Sequence, residues 1–508
     1  MPCHPRTEER RRDGRPGLHW GMGKSVVVIG AGLGGLSAAI HARLERCDVL
    51  VLERHDRPGG KAAALTQSGY RLDPGPSIVI LTRIYERLFR DAGRRMEDYL
   101  RFRRLDPFAR VHFEGREPLD LPADLEACRS VLREVAPQDL AGFDRLIETL
   151  DQVAPLLDRT VFAHPMDRWW RLADPRLARF AMRFDLRASY KTFVDRMFGS
   201  DLLRAFFYGF PSYSGLTYHA KAPGALLIPY LMLREGVWWP EGGVGAIPSA
   251  FHRLACELGV EFRFGADVVG LDARDGRVRR ALTSDGCAYE AEAFLVNRDP
   301  LTAGEWLGRK VSLAPSFSYF TLHAGVPRLV PGLEHHTLLV PRAFEAAFED
   351  LYVRRRFPDS PIVYVNATHL VDPSTAPPGC SNVFAVVTSP AIEDGWSWEE
   401  QAPRARQAVL RTLDAFGVGW KEDEAAFERV QSPPYFAAAH GNYRGSLYGP
   451  DARHWPWGLV PLFNRDPEIR NLAYVGGAVQ PGAGMPMVTL GGRFAAGMVA
   501  RTRRRSAP

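Results

Sequence analysis

The 508-residue sequence predicts an α/β fold whose parallel sheet is assembled from separated stretches of chain, with an α+β part inserted between them. A strand–helix–strand pattern occupies residues 25–53, and α/β character returns over residues 236–300. Between them, residues 80–220 are rich in Arg, Leu and Phe and have a mostly helical period. The uncharged, glycine-rich segment 471–492 predicts a strand, a loop and the start of a helix.

The first unit contains the clearest local signals. Ser25–Gly30 (SVVVIG) is a β-branched run that ends in glycine, which is typical of a buried parallel strand. Leu33–Arg46 carries apolar side chains at helical spacing, and Asp48–Glu53 (DVLVLE) is the next buried strand. These three segments predict a βαβ unit at the start of the fold.

The later elements follow from the same kinds of pattern. Periodicity predicts a helix over Ile247–Leu258 and a strand over Val260–Phe264, and Asp-Gly pairs predict hairpin turns. The remaining predictions are turns at Asp275-Gly276 and Asp285-Gly286, and strands at Pro361–Asn366 and Val383–Thr388.

Composition and charge exclude several classes of protein. The 46% hydrophobic content is too high for a disordered chain, and the six cysteines form no CxxC pair or metal-ligand spacing, so no metal site is predicted. The net charge of +6 arises from a surplus of two in residues 1–23 and of four in residues 501–508. The body of the chain is therefore neutral, which argues against a nucleic-acid partner.

A glycine motif follows the first predicted strand directly. Gly30-Ala31-Gly32-Leu33-Gly34-Gly35 has the spacing GxGxxG and opens the first helix. Such glycines allow a tight turn, close approach to a pyrophosphate and close helix–strand packing. Glu53 ends the next strand, where a carboxylate can accept hydrogen bonds from ribose hydroxyls. The pattern predicts a Rossmann-like dinucleotide site that includes all of these residues except Leu33.

The sequence after Glu53 indicates which dinucleotide is bound. Arg54 to Lys61 (RHDRPGGK) brings a second glycine turn, Gly59-Gly60, and a lysine that can offset phosphate charge. Two turns this close together suit FAD. No second GxGxxG follows a strand, because Gly243-Val244-Gly245 lacks the third glycine. This argues against a nicotinamide-dependent reductase, so the substrate itself is expected to reduce the flavin.

The sequence also resembles the bacterial phytoene desaturase family of carotenoid flavoenzymes, within the amine-oxidase-like flavoproteins. The likeness extends from about residue 24 to residue 500. Its strongest blocks are GAGLGGLSAA at 30–39, RPGGKAAALTQSGYRLDPGPSIV at 57–79, GVWWPEGGVGAIPSAF at 236–251 and NLAYVGGAVQPGAGMPMV at 471–488. A fainter block lies at 371–380.

The resemblance implies a discontinuous FAD-binding domain of the GR2 type and further cofactor contacts. It places the backbone of Val268 at the adenine, Gly477 near the ribityl phosphate, and Met485, Pro486 and Met487 under the flavin ring. The implied division is a disordered basic extension (1–23), FAD-binding parts (24–100, 230–300, 455–500), a helical membrane-associated part (101–229), a substrate part of sheet and helices (301–454) and a basic tail (501–508).

The resemblance further implies desaturation of a phytoene-like C40 or C30 polyene, or of a modified carotenoid, by hydride transfer to flavin N5. Quinone or oxygen would be the electron acceptor. Many family members have His where this chain has Gln480, and no residue is predicted as the catalytic base. The alternatives are a carotenoid cis–trans isomerase, an amine oxidase and a non-catalytic pigment-binding flavoprotein.

An apolar polyene must be collected from a membrane, and one segment suits a membrane surface. Over residues 175–188 a helical wheel groups four arginines (Arg176, Arg179, Arg183, Arg187) beside an apolar face. Trp169 and Trp170 precede it. The alternative is an ordinary surface helix. We therefore expect a cytoplasmic protein that is attached peripherally, on one side of the membrane.

Overall fold

The computed structural model describes residues 23–165, 175, 188–395, 397–421, 423–451 and 462–500. Its strands are β1 Ser25–Ile29, β2 Asp48–Glu53, β3 Leu65–Gln67, β4 Tyr70–Leu72, β5 Phe102–Arg104, β6 Ala109–Phe113, β7 Leu119–Leu121, β8 Trp238–Pro240, β9 Glu261–Phe264, β10 Val268–Arg274, β11 Arg277–Thr283, β12 Ala288–Glu290, β13 Ala293–Val296, β14 Phe317–Val326, β15 His336–Val340, β16 Val363–Asn366, β17 Ser381–Pro390, β18 Phe427–Gln431 and β19 Leu472–Tyr474.

The helices alternate with these strands along the chain. Within the same ranges they are α1 Leu33–Leu44, α2 Thr82–Asp91, α3 Leu125–Val135, α4 Leu140–Arg159, α5 Tyr190–Met197, α6 Asp201–Tyr208, α7 Leu227–Glu235, α8 Ala246–Glu257, α9 Pro300–Glu305, α10 Phe344–Tyr352, α11 Trp398–Ala415, α12 Pro433–His440 and α13 Met485–Ala500.

A five-stranded parallel sheet forms the base of the molecule, in the order β19-β13-β1-β2-β9. Strand β1 is buried over its whole length, as its β-branched sequence predicts. Helices α1, α8 and α13 cover the sheet, and their apolar faces share one core with it. The predicted mixed α/β fold with a parallel sheet, and the βαβ unit at its start, are confirmed.

The two Asp-Gly turns lie where the sequence predicts them. Strands β10, β11 and β12 form a separate antiparallel sheet. Asp275 and Gly276 both have positive φ, 55° and 67°, and join β10 to β11. Gly286, with φ 81°, lies between β11 and β12. Residues at positive φ match the twist of two-residue hairpins, which explains why Asp-Gly predicts them.

A seven-stranded sheet lies opposite the parallel sheet, in the order β18-β14-β17-β16-β15-β6-β7. Its longest pairing is the antiparallel pair β14 and β17, which runs over ten residues in register. One face packs against α11 in a core of its own. Side chains on the other face line the cavity described below.

The prediction of mostly helical structure over residues 80–220 was wrong for one stretch. Strands β5, β6 and β7 lie between residues 102 and 121, and β6 pairs in parallel with β15, more than 200 residues away. These strands have three to five residues and carry several arginines, so their alternation is too short to detect. Pairing with the remote β15, not local propensity, makes β6 a strand.

Helices α3 to α7 build the other large core. No helix within the described ranges is long and apolar enough to cross a membrane. The predicted basic stripe of residues 176–187 and the tryptophans at 169–170 fall outside the described residues, as do the basic extension and tail. The predicted domain boundaries stay predictions.

A buried histidine makes the stability of the fold depend on pH. His323 of β14 is fully buried and stacked on Phe384, with ring centroids 4.0 Å apart, and neither ring nitrogen has a hydrogen-bond partner among the described residues. Burial, with a smaller contribution from the Arg429 charge, lowers the pKa of His323 to about 3. The unfolded chain therefore binds a proton below pH 6.5 that the folded chain does not, so stability decreases as pH falls from 6.5 toward 3.

We expect His323→Phe to remove about 1.4 kcal/mol per pH unit from this acid slope, measured as urea unfolding free energy from pH 6 to 4. Phe384→Leu is the matched control, because it disturbs the same packing without changing a titratable group. It should lower stability equally at every pH. An unchanged slope in His323→Phe would contradict the assignment.

Candidate active site

A cavity of about 1090 Å³ lies between the parallel sheet and the seven-stranded sheet. Thirteen of the predicted cofactor residues line it: Gly30, Gly32, Gly34, Glu53, Arg54, Gly59, Gly60, Lys61, Val268, Gly477, Met485, Pro486 and Met487. The other two, Ala31 and Gly35, make backbone hydrogen bonds to Glu53, Gly59 and Asn297 beside it. Residues far apart in sequence are therefore brought to one cavity.

The first glycine turn leaves room for a ligand because its backbone packs tightly. Gly30 has φ +98°, and its N–H donates to the Leu52 carbonyl at 2.7 Å. A β-carbon on Gly35 would lie 1.9 Å from the Gly30 carbonyl oxygen, so this position requires glycine. The N-terminus of α1 thus lies at the cavity, where backbone N–H groups at a helix start favour binding of an anion.

Glu53 stabilises the first glycine turn and also faces the cavity. Its side chain is almost fully buried; Oε2 accepts from the Ala31 N–H at 2.6 Å, and Oε1 accepts from the His55 N–H at 2.9 Å. A carboxylate has about four acceptor sites, so two remain for ribose hydroxyls. The geometry fits the predicted role and adds a structural one.

The second glycine turn packs on the first. The Gly59 N–H donates to the Ala31 carbonyl at 2.9 Å, and Gly60 and Lys61 begin a short helical turn at the cavity wall. Burial lowers the pKa of the Lys61 amine, against which Asp299 acts as a counter-charge. Arg54 and Arg298 line the same region, and burial together with the Arg54 charge lowers the pKa of Arg298. A dianionic pyrophosphate would compensate the positive charges of Lys61, Arg54 and Arg298, so the site fits FAD.

Two positioning residues are absent from the predicted set. Asn297 follows β13; its Oδ1 accepts from the Gly35 N–H at 3.0 Å and its Nδ2 donates to the Val475 carbonyl at 2.9 Å. Asp73 accepts from the N–H groups of Val244 and Gly245, at the start of α8. A polar residue at the end of a buried strand was the available signal for Asn297. Asp73 lies in the conspicuous block 57–79, but its partners are 171 and 172 residues away.

The C-terminal part of the chain packs against the helix that follows the first glycine turn and completes the cavity wall. Helix α13 starts at Met485 beside the cavity and packs along α1, where a β-carbon on Gly492 would lie 2.5 Å from the Gly34 carbonyl oxygen. Gln480 is buried, and its backbone N–H donates to the Leu462 carbonyl at 3.1 Å. Gln480 is not among the residues that line the cavity. Its position agrees with the expectation that it does not transfer a proton.

The rest of the cavity is predominantly apolar. It continues from the glycine turns between α6, α7 and α10 and the seven-stranded sheet. Aromatic and aliphatic side chains form this part, including Phe206, Phe210, Ile228, Leu231, Met232 and Phe348. One continuous space thus joins a dinucleotide cradle to an apolar pocket, which suits a long hydrophobic ligand lying against a cofactor.

Comparison with known proteins agrees with this arrangement. Residues 33–500 match the family of flavin containing amine oxidoreductases. The chain is 34% identical to a zeta-carotene-forming phytoene desaturase of Myxococcus xanthus, over 93% of each chain. It is 32% identical to a 4,4'-diapolycopene oxygenase of a Methylomonas species, over 92% of this chain and 96% of that one.

Solved structures confirm the fold. An oxidoreductase from Methanosarcina mazei superposes with a TM-score of 0.62 at 17% identity, covering 92% of this chain and 98% of that one. Putrescine oxidase bound to putrescine superposes with a TM-score of 0.60 at 17% identity, covering 94% and 99%. The chain therefore belongs to the flavin containing amine oxidoreductases, in the group of carotenoid desaturases, and is an FAD-dependent oxidoreductase.

Proposed function

We propose that the protein desaturates a phytoene-like C40 or C30 polyene, or a modified carotenoid, with FAD as the oxidant. The observation that carries this proposal is the single cavity that connects the glycine turns to the apolar pocket. A hydrocarbon has no polar group to which the protein could hydrogen-bond, so the shape of the apolar cavity wall must position it. The identity to a phytoene desaturase supports the same reaction.

Some residues of this chain would bind the cofactor, and others would position the substrate. The N-terminus of α1, with Lys61 and Arg298, would hold the pyrophosphate, and Glu53 the ribose. Bound FAD supplies the chemistry by accepting a hydride from the substrate. The apolar walls hold one saturated bond of the polyene against the cofactor and keep water out. Conjugation in the polyene spreads the developing positive charge, and the adjacent carbon then loses a proton, so that each new double bond removes two hydrogens and would reduce FAD to FADH2.

Co-expression with synthases that make C40 or C30 precursors tests the function. A longer-wavelength absorbance and a mass lower by two hydrogens per new double bond would support desaturation. An isomerase would change the absorbance without a loss of mass or use of an electron acceptor. A pigment-binding protein would leave the flavin oxidised during anaerobic incubation with substrate, and an amine oxidase would be reduced by a diamine instead.

The reduced cofactor must then pass its electrons to an acceptor, and we propose a membrane quinone or oxygen. A quinone would be present in the same lipid as the polyene. Stopped-flow reoxidation of the substrate-reduced holoenzyme separates the two acceptors. A rate set by quinone concentration under argon supports quinone, whereas a rate set by dissolved oxygen supports oxygen.

We also propose that the seven-stranded sheet and the helices of residues 101–229 form an inserted substrate part that docks on the cytoplasmic side of the membrane. The apolar half of the cavity is bordered by α4 and α6, which belong to this stretch, and by α7, which begins at its end. The arginines and tryptophans of residues 168–187 lie in the same stretch of sequence. A basic and apolar surface of this kind attracts anionic lipid.

We expect the purified protein to co-sediment with liposomes that contain anionic lipid, and to be released as salt rises, because screening weakens the attraction between arginines and phosphates. Replacing Arg176, Arg179, Arg183 and Arg187 by Gln should weaken sedimentation. Gln at Arg274 and Arg279, on the β10–β11 hairpin, is the control and should not. Failure to pellet at low salt would contradict membrane attachment.

A further inference from the structure

Four tyrosines form a polar patch in the predominantly apolar part of the cavity. The hydroxyls of Tyr319 and Tyr448 are 2.7 Å apart and hydrogen-bonded to each other. Tyr213 and Tyr352 line the cavity with them, and we call these four residues the tyrosine cluster. Its members come from β14, α10 and two connecting segments, so the tertiary structure alone brings them together.

The cluster is enclosed by the protein while facing the cavity. Tyr213 is 36% exposed, and it is one of the residues that line this space. Desolvation inside this enclosed space raises the pKa of Tyr213 to about 12. Burial, with the charges of neighbouring tyrosines, also raises the pKa of Tyr319 well above its ordinary value. All four phenols are therefore neutral at physiological pH and act as hydrogen-bonding groups.

The cluster lies at the cofactor end of the apolar pocket. Tyr448 precedes Gly449, where a β-carbon would lie 2.8 Å from that of Ala478. A β-carbon on Gly477 would in turn lie 3.4 Å from the Leu447 carbonyl oxygen. The segment that carries Tyr448 thus packs directly on the predicted flavin-binding segment.

A hydroxyl pair of this kind has unused hydrogen-bonding capacity. In the Tyr319–Tyr448 pair one hydroxyl donates to the other, which leaves the acceptor's own hydrogen and several lone pairs available. A pure hydrocarbon that filled the cavity would displace water from these groups and satisfy none of them. An oxygen atom on the ligand would accept the free hydrogen, and a ligand hydroxyl could also donate.

We infer that the tyrosine cluster binds a hydroxyl or carbonyl oxygen of the substrate, so that the preferred polyene carries an oxygen near the end that reaches the cofactor. This inference rests on the proposed function and narrows its substrate class. The protein would distinguish the two kinds of polyene because the tyrosine hydroxyls can bond an oxygen on the ligand. A hydrocarbon of the same shape leaves those hydroxyls without a hydrogen-bond partner.

The test compares binding of a linear C40 polyene hydrocarbon with binding of its mono-hydroxylated derivative to the FAD-loaded protein. Dissociation constants are measured from the absorbance shift of the polyene, under argon. We expect at least tenfold tighter binding of the hydroxylated polyene. Tyr319→Phe combined with Tyr448→Phe should reduce the ratio to about twofold or less, by weakening binding of the hydroxylated polyene and strengthening binding of the hydrocarbon. The single variants serve if the double variant does not fold.

Tyr364→Phe is the matched control. Tyr364 also lines the cavity, but its hydroxyl contacts Ser77 at 2.8 Å and His336 at 2.6 Å, so the preference should persist. Equal binding of the two polyenes, or a preference that survives the double substitution, would overturn the inference. So would Phe variants that alter only reoxidation by quinone, since the cluster would then serve the acceptor. Failure of both polyenes to reduce the flavin refutes the proposed function instead, whatever the binding ratio.

Discussion

Gly32→Asp is expected to give a folded protein that retains no FAD. A β-carbon at Gly32 would lie 2.7 Å from Asn297 Oδ1, so the new side chain displaces the group that holds the Gly35 N–H and adds a carboxylate to the cavity wall. There its carboxylate would repel the pyrophosphate and cancel the favourable field at the start of α1. The measurement is the flavin released per mole of purified protein, with circular dichroism as the test of folding.

Gly497→Asp provides the control, because it adds the same charge where nothing lies within 4 Å of the new β-carbon. It should bind FAD in the same amount as the parent protein. A Gly32→Asp protein that is yellow and fully loaded would mean that the first glycine turn does not hold the cofactor. The assignment of Gly30, Ala31, Gly34 and Gly35 would then fail with it.

Asp466→Ala is expected to lower the free energy of unfolding by about 3 kcal/mol or more. The carboxylate is completely buried and accepts two hydrogen bonds from Arg309, at 2.6 and 2.9 Å. It also accepts from the Tyr474 hydroxyl at 2.8 Å. Burial alone would raise its pKa, but these bonds hold the pKa of Asp466 below the ordinary value. Removing the carboxylate leaves the buried Tyr474 phenol and the N–H groups of Glu468 and Ile469 without this acceptor, and leaves Arg309 with the exposed Glu468 as its carboxylate partner.

The neighbouring ion pair supplies the control for Asp466. Glu468 contacts the same Arg309 at 2.9 Å but is 73% exposed, so solvent screens the pair. Glu468→Ala should cost no more than about 1 kcal/mol in the same urea titration. Equal losses in the two variants would show that burial does not decide the strength of these pairs. Because Tyr474 ends β19 beside Gly476, Asp466→Ala should also weaken FAD retention.

Local patterns predicted the cofactor half of the molecule well. The run SVVVIG, the GxGxxG spacing and the acid that ends DVLVLE each depend on residues that are neighbours in sequence. The structure accordingly shows β1, α1 and β2 where they were predicted, with Glu53 at the cavity. The flavin-binding character of Met485, Pro486 and Met487 came instead from the family resemblance, since nothing in the residues themselves identifies a flavin.

The substrate half was predicted less well, and β6 shows why. Its five residues, ARVHF, alternate apolar and polar side chains over too short a stretch to identify a strand, and they become one by pairing with β15 on one side and β7 on the other. The four residues of the tyrosine cluster could not be distinguished in the sequence from ordinary aromatic core residues, because they come from segments far apart in the chain.

The parallel sheet, the glycine turns, the acid that ends the second strand and the class of cofactor could all be predicted from the sequence. Each depends on backbone conformation or strand burial, which a few neighbouring residues encode. The tertiary structure decided which distant side chains complete the site. Asn297 meets Gly35 across 262 residues, and Tyr319 meets Tyr448 across 129. Such contacts depend on how the two sheets pack against each other, and that packing is the collective result of burying their apolar faces.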